Sequence, residues 1–596
     1  MKVVPMGESM LEAVIIGSGF GGAVTCCRLS QKWPGQVLLL ERGKRYALGS
    51  FPRSPHDFSN NFWAPASTAD GRSTPRKQHQ RNGLFDIRNY RRMDAVVAAG
   101  LGGGSLIYAN VFLPAPDWVF QQGWPAALNG PLLAPYYAVA RSVLGAKPVP
   151  PWSHNPQRRI LRTELFAQFA QAERKPSTLA DICVFFGNDY ARPGLAPAPP
   201  LAMGVQEKNR FGALQTSCTY CGECDVGCNV QAKNTLDLNY LHVAEQVHGA
   251  RIQTEAMAEK IVPLNPQREE DSTADGRFGY RVFYRDARQT LQTVDAKRVI
   301  VAAGTLGSTE LLLRCRDEWG SLPRVSQQLG LRFSGNGDMV SIVANGQKPT
   351  DANFGPVITQ FVDYGYFEKS QDKEAFLLED AAYPAFAAWY VEGLRPTLNP
   401  LFFLRKFRRL LHVFWHHLRR PGSGQSVGGL GDYFRSLLKG DLSQHASVLL
   451  CMGKDQGDGR LFLKDGKLDL DWPQTTSRPL FNAIINCGHR FKAFVGSNLY
   501  IVQPTWLWPM RNNITVHPLG GCALADSPEQ GVTSAADTAR GQVFGYTGLY
   551  VADGSLVPGS LGANPSATIA ALAEWIAEGI TGIAPDDTLG TPVHHE

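Results

Sequence analysis

Leu11-Glu12-Ala13-Val14-Ile15-Ile16-Gly17-Ser18-Gly19-Phe20-Gly21-Gly22 is the stretch on which the reading of this chain turns. An apolar run enters a glycine-rich turn, a helix-compatible stretch follows, and a second apolar run, Val37 to Leu40, leads to Glu41. That order is a βαβ unit, and its first turn has the G-x-G-x-x-G spacing that admits a dinucleotide. Gly17 allows the tight turn, Gly19 lets a pyrophosphate approach the main chain, and Gly22 lets helix and strand pack closely. Glu41 falls 19 residues after Gly22, where a carboxylate can bind ribose hydroxyls. The bare glycine pattern also occurs in turns without a ligand; the flanking strands and the acid are what favour the dinucleotide.

A second glycine cluster stands in Ala99 to Asn110, where Gly102, Gly103 and Gly104 remove three consecutive Cβ atoms. Such a backbone suits passage against a flat ring system, with a mobile hinge as the alternative. Residues 49–80, rich in Pro, Ser, His and Arg, read as a long surface loop and a candidate lid. The strand-turn-helix pattern returns in Arg298 to Leu313. It returns again in Leu549 to Ser555, a strand ending in Asp553-Gly554, before a closing helix that starts near Asn564-Pro565-Ser566.

The expected fold is therefore α/β, with a dinucleotide-binding domain assembled from the interleaved segments 1–145, 205–335 and 511–585, joined by a connecting, substrate-lobe segment at 146–204. Residues 336–510 lack that punctuation and are expected to form an α+β substrate-binding domain with an antiparallel sheet, in which Arg460 to Lys464 alternates like a strand.

The chain has 596 residues, 44% hydrophobic and 19% charged, a globular composition that excludes disordered and fibrous classes. Lys and Arg exceed Asp and Glu by 59 − 53 = 6 without a clustered basic arm, so nucleic acid is not an expected partner. No stretch of about 18 uncharged apolar residues is present, and the first residues lack the pattern of a secretory signal. The expectation is a cytoplasmic, reducing setting. One segment, Leu401 to Arg420, sets apolar residues at helical spacing with basic residues between them. It reads either as a helix lying on the inner face of the membrane, which would make the protein peripheral, or as a helix packing its apolar face inward.

Four of the eleven Cys fall in Cys218-Thr219-Tyr220-Cys221-Gly222-Glu223-Cys224-Asp225-Val226-Gly227-Cys228. This C-x2-C-x2-C-x3-C run has the ligand spacing of bacterial ferredoxins, without the trailing Pro, since Asn229 follows. Tight spacing lets main-chain amides wrap a cuboidal iron-sulfur cluster, which is the favoured reading. Zinc sites usually take two short pairs separated by a longer spacer, and disulfides suit a reducing compartment badly. In two-cluster ferredoxins the fourth Cys serves the other cluster. A single run leaves open a four-iron cluster completed by Cys228, one completed by a remote thiol, and a three-iron cluster. The other Cys are scattered and read as core packing.

Taken together, the turn at 17–22 with Glu41, GLGGGSLIYAN at 100–110, AAGTLGSTELLL at 302–313, the turn His517-Pro518-Leu519-Gly520-Gly521, and ADGS at 552–555 with NPSATIAALAE at 564–574 resemble the glucose-methanol-choline oxidoreductases, the cholesterol oxidase branch in particular. The resemblance implies a Rossmann-type fold and FAD. It implies that Phe20, Gly21 and Glu41 stand at the ADP half, Gly104, Ser105, Tyr108, Asn110 and Val111 near the flavin, the backbone of Ala258 at the adenine, and Asp553 and Gly554 closing the site.

It also implies His517 as the base that takes a hydroxyl proton while the carbinol hydride passes to the flavin, a role a His suits near neutral pH. Asn564, 564 − 517 = 47 residues later, would orient the substrate oxygen. Asn at that second position, rather than His, favours a bulky lipophilic alcohol, sterol or terpenoid, over a sugar. Cholesterol oxidases also use a buried Glu in the substrate lobe; Gln360 and Asp363 are the candidates for its counterpart. A cluster beside the flavin would pass electrons to a quinone or a redox protein. The alternatives are an oxidase using O2 with a structural Cys cluster, a flavin photodecarboxylase, and a membrane-docked flavin electron carrier.

Overall fold

The computed structural model describes residues 10–63, 82–153, 155–191, 198–368, 373–388, 441–506 and 511–591. The amphipathic segment 401–420 and most of the expected lid, 64–81, lie outside the described residues. Ala13–Ile16, Val37–Leu40 and Val299–Val301 are apolar throughout and every one of their side chains is buried, the pattern of strands covered on both faces. They pair in parallel, with Ile15 opposite both Leu39 and Ile300. Leu549–Val551 and Arg251–Gln253 complete a five-stranded sheet in the order 549–551, 299–301, 13–16, 37–40, 251–253. The central strand ends at Ile16, so the glycine turn falls at the carboxyl edge of the sheet, where parallel sheets bind ligands.

Helix Phe20–Lys32 lies between this sheet and the closing helix Ser566–Thr581, which in turn packs on Gly130–Val143. Small residues make the approach close: Gly21, Gly22 and Ala23 on the first helix, Ala567, Ala570, Ala571 and Ala577 on the closing one. The pair is pinned by Arg28, whose guanidinium donates to both carboxylate oxygens of Glu574 at 2.7 and 2.9 Å, with both residues buried. The Tyr240 hydroxyl donates to Glu574 as well, at 2.8 Å.

The second sheet is antiparallel and has six strands in the order Leu499–Val502, Met339–Ala344, Ser447–Gly453, Phe376–Ala381, Gln360–Tyr364, Ser177–Leu179. Side chains alternate along a strand, so Phe376 and Leu378 face one way, into a cluster with Phe166 and Phe169 of helix Leu161–Glu173 and with Phe481 and Phe491 of helix Arg478–Phe494. Leu377 and Ala381 face the other way and join the core shared with the parallel sheet. Glu379 lies on their face and Asp380 on the opposite one. Arg460–Lys464 is a strand as expected, but it pairs with Lys467–Asp471 in a separate hairpin. Asp465 and Gly466, both at positive φ (50° and 69°), close it on itself in the manner of a two-residue Asp-Gly turn. Among the described residues no helix is long and apolar enough to cross a membrane.

Candidate functional site

The glycines at the carboxyl edge of the parallel sheet divide by what surrounds them. A Cβ on Gly21 would stand 1.3 Å from the Ala552 carbonyl oxygen, one on Gly22 2.0 Å from that of Gly17, and one on Gly17 2.3 Å from that of Ala302. These three let the first helix reach the strands. Gly19 and Gly104 are different: a Cβ on either would meet nothing within 4 Å, so their backbones border open space. The two glycine loops touch, since a Cβ on Gly103 would lie 2.6 Å from the Gly19 Cα. They form one cradle.

Glu41 braces that cradle. Its Oε2 accepts from the Ser18 amide at 3.1 Å and hydroxyl at 2.5 Å, its Oε1 accepts from the Gly43 amide at 2.7 Å, and Ser18 Oγ accepts the Gly102 amide at 3.0 Å. A carboxylate has about four acceptor positions, so capacity for a ribose hydroxyl remains. Asp553, at the end of the edge strand, ties the Gly304 amide (2.9 Å) and Ser308 hydroxyl (2.5 Å) to the Ser555 amide (2.9 Å), and burial pushes its carboxyl up. The next residue's carbonyl, on Gly554, accepts the Gly520 amide of the His517 turn at 3.0 Å.

Phe20 meets the ring of Tyr108 edge-on at 5.5 Å. Asn110 is wholly buried at φ 72°, with its side-chain amide beside the Cys224 thiol. The Val111 carbonyl accepts the Ser566 hydroxyl at 2.9 Å, joining the second glycine segment to the start of the closing helix. The Ser105 hydroxyl donates to Gly102 O at 2.7 Å and accepts the Leu236 amide at 3.1 Å, bracing the second glycine loop. Ala258 sits beside a bulge, opposite Tyr284, in the strand Met257–Pro263. Two residues earlier the Ala256 amide donates to the Glu41 carbonyl at 2.8 Å.

Three residues preceding strand Met339–Ala344 hold the two polar groups that matter most. Asp338 accepts from His517 Nδ1 at 3.0 Å and from the main-chain amides of Val516 and His517 at 2.9 and 3.2 Å. Nδ1–H is thereby fixed on Asp338, and Nε2 is left as the acceptor, with no partner among the described residues. Asn336, at φ 58°, accepts the Leu561 and Gly562 amides at 3.0 and 2.8 Å and donates to Ala563 O at 2.8 Å, which sets the chain just before Asn564. Gly337 lies between them with its Cβ position 2.1 Å from Gly453 O. One buried turn thus positions both His517 and Asn564.

The third polar group is Glu379. It is fully buried, its Oε2 accepts from Asn564 Nδ2 at 3.4 Å, and neither its Oε1 nor Asn564 Oδ1 has a partner among the described residues. Glu379, rather than Gln360 or Asp363, is thus the acid that the structure brings to Asn564. Asp363 spends its carboxylate on the Tyr366 amide of its own turn, at 2.6 Å, and Gln360 lies opposite Asp380, on the face away from Glu379, with its main-chain amide donating to Asp380 at 2.7 Å. Asp380, pointing the other way, is satisfied by Arg162 at 3.4 Å and the Thr359 amide at 2.8 Å. The legible signal was an acid within the apolar run Phe376 to Ala381, since acids are seldom fully buried without a role. Asp338 and Asn336 gave no such signal, because Asn-Gly-Asp also reads as an ordinary turn.

Burial pushes Glu379 from its ordinary 4.5 up to about 8, with Asp380 and Asp338 adding in the same direction. The neutral acid is favoured by the fold, so its contribution to stability is full below 4.5 and is lost as pH rises through about 8. Glu379→Gln keeps the shape and removes the titration. The expected outcome is that the fall in Tm across that window flattens in the variant; an unaltered fall would show that Glu379 is not its source.

The four cysteines of the tight run, Cys218, Cys221, Cys224 and Cys228, line one concavity together with Lys233, Gly355 and Pro356. None of the eleven cysteines is joined in a disulfide. Among the described residues no three His, Cys, Asp or Glu side chains are gathered as around a single metal ion.

Comparison with known proteins adds the following. The N-terminal and C-terminal models of the GMC oxidoreductase family match residues 202–318 and 508–573. The chain is 29% identical to a cholesterol oxidase of Acinetobacter baumannii, over 94% of this chain and 93% of that protein. It is 28% identical to a cholesterol oxidase of Mycobacterium tuberculosis, over 95% and 90%. The solved structure of a fungal aryl-alcohol oxidase superposes with a TM-score of 0.57 at 13% identity, covering 96% of this chain and 99% of that one, a likeness of fold.

Proposed function

Because the chain belongs to the GMC oxidoreductase family and is an alcohol oxidoreductase, we propose that it oxidises the CH–OH group of a bulky lipophilic alcohol, of sterol or terpenoid type, with FAD as cofactor. The observation that supports this reading is one turn, Asn336 to Asp338, that holds both His517 and the chain before Asn564, with Asn564 bonded to Glu379 and polar atoms of that pair left for a substrate oxygen. FAD is implied by the family, and the chain's residues fit it: the open space at Gly19 and Gly104 suits the pyrophosphate and ring. Glu41 would hold the ribose. Bound FAD supplies the acceptor for the carbinol hydride.

The rest is done by the chain itself. His517 Nε2 takes the hydroxyl proton, and Asp338 steadies the imidazolium that results. Asn564 and the neutral acid of Glu379 hold the substrate oxygen in line with that base. Glu379 is flanked on its own sheet face by Leu377 and Ala381, an apolar wall suited to a ring system and unsuited to a sugar. Closing helix Ser566–Thr581 directs its amino end toward the Val111 carbonyl and the cradle, which favours negative charge there. Direct use of O2 is the alternative for the electrons, as favoured by the names of the relatives.

The test is anaerobic mixing of the flavin-loaded protein with cholesterol, a cyclic terpenoid alcohol, glucose and choline. The expected outcome is bleaching of the flavin by the first two alone. Bleaching by glucose or choline, with none from the lipophilic alcohols, overturns the substrate class.

A further inference from the structure

The side of Tyr108 away from Phe20 leads to a second site. Lys233 Nζ stands 4.9 Å from the Tyr108 ring centre and donates to the carbonyls of Leu106 (2.9 Å), Tyr108 (3.0 Å) and Cys224 (2.6 Å). Lys233 is 1% exposed, and its described hydrogen-bond acceptors are all main-chain carbonyls. Burying an ammonium on neutral acceptors is costly unless negative charge lies nearby. What lies nearby is the buried Asp225 carboxyl and the cysteine concavity, which is partly open to solvent.

The loop that forms it coils around the thiols. Tyr220, Gly222 and Gly227 adopt positive φ of 61°, 71° and 93°, and a Cβ on Gly222 would stand 2.5 Å from the Asn353 carbonyl oxygen. Main-chain amides already point at sulfur: Tyr220 N–H donates to Cys218 Sγ at 3.4 Å and Ala232 N–H to Cys228 Sγ at 3.2 Å. Cys218 and Cys224 are buried, Cys228 is half-buried and Cys221 faces solvent. Four thiols lining one concavity at the C-x2-C-x2-C-x3-C spacing offer the ligand set of a polynuclear centre, whereas zinc sites usually take two short pairs separated by a longer spacer. Cys228 lines the same cavity as the other three, so the fourth ligand serves the same centre.

We propose that Cys218, Cys221, Cys224 and Cys228 ligate one four-iron iron-sulfur cluster, with the Lys233 ammonium offsetting its negative charge, between the flavin cradle and solvent. Its role rests on the alcohol-oxidising reading above. Oxidation of the alcohol to the carbonyl releases two electrons and two protons. The electrons pass through the cluster one at a time to a quinone, which takes both with two protons to give the quinol, or to two equivalents of a one-electron redox protein.

The test is iron, zinc and acid-labile sulfide analysis of anaerobically purified holoenzyme, with electron paramagnetic resonance before and after dithionite. About four irons and four sulfides per chain with a paramagnetic signal on reduction are expected for such a cluster. Zinc without iron, or flavin without either, overturns the proposal. Cys224→Ala should abolish the signal. If that variant fails to fold, Cys221→Ser, at the solvent-facing position, should lose one iron and change the signal; unchanged iron and signal would exclude four-Cys ligation. Lys233→Met should make the cluster harder to reduce, since a compensating cation is gone; an unchanged potential overturns the role given to Lys233. Flavin bleaching by the lipophilic alcohol is read separately: bleaching without iron rejects the cluster alone, and iron without bleaching rejects the alcohol reading alone.

Discussion

Replacing His517 with glutamine is expected to slow alcohol-driven flavin reduction by about 10²–10⁴-fold, the usual contribution of a positioned general base. The argument is geometric. Asp338 takes the Nδ1–H of His517 at 3.0 Å, so the ring presents a lone pair at Nε2, and glutamine cannot replace it as a base. Flavin content should be unchanged, because His517 contributes no hydrogen bond to the glycine cradle among the described residues. Asp338→Asn is the companion variant: the ring stays in place while its tautomer is no longer fixed, so the rate should fall and its pH profile shift. Stopped-flow reduction at saturating alcohol checks both. A His517→Gln enzyme that reduces its flavin at the parent rate would remove His517 from the chemistry.

The second large effect is on the fold. Arg28→Met leaves Glu574 buried with, among the described residues, the Tyr240 hydroxyl as its remaining hydrogen-bond donor, and stranding one half of a buried ion pair costs about 3–5 kcal/mol. The consequence reaches the site, because Glu574 lies on the helix that begins after Asn564-Pro565, and Arg28 lies on the helix that begins after the glycine turn. The expected result is a lowered Tm with weaker flavin retention. The double variant Arg28→Met/Glu574→Leu should recover most of the loss, since a buried ion pair is often replaceable by packed apolar groups. A single variant as stable as the parent would mean the pair carries no net weight.

Much of the cofactor side was legible because its physics is local. A tight turn, a close backbone approach and an acid at a set distance must appear as glycines and Glu41 at fixed spacing, and the buried parallel strands must appear as unbroken apolar runs. The substrate side was less legible. Glu379 was missed in favour of Gln360 and Asp363 because alternation along a strand says that neighbours part ways, but not which face meets the other lobe. Asp338 and Asn336 act on residues about 180 and 225 positions away, by the hydrogen bonds to His517 and to 561–563, and no local pattern marks such a reach. The hydroxyl of Ser105 ties Gly102 to Leu236, another contact across more than a hundred positions that no local pattern marks.

The sequence by itself determined the βαβ unit, the spacing of the glycine cradle, the His517 turn and the tight cysteine run, since each depends on residues a few positions apart. Only the tertiary structure decided that Glu379 joins Asn564, that one Asn-Gly-Asp turn grips both His517 and the chain before Asn564, and that all four cysteines share a single cavity beside a buried lysine. Those are long-range contacts, chosen by how distant segments pack into one core, and chain order carries no record of that packing.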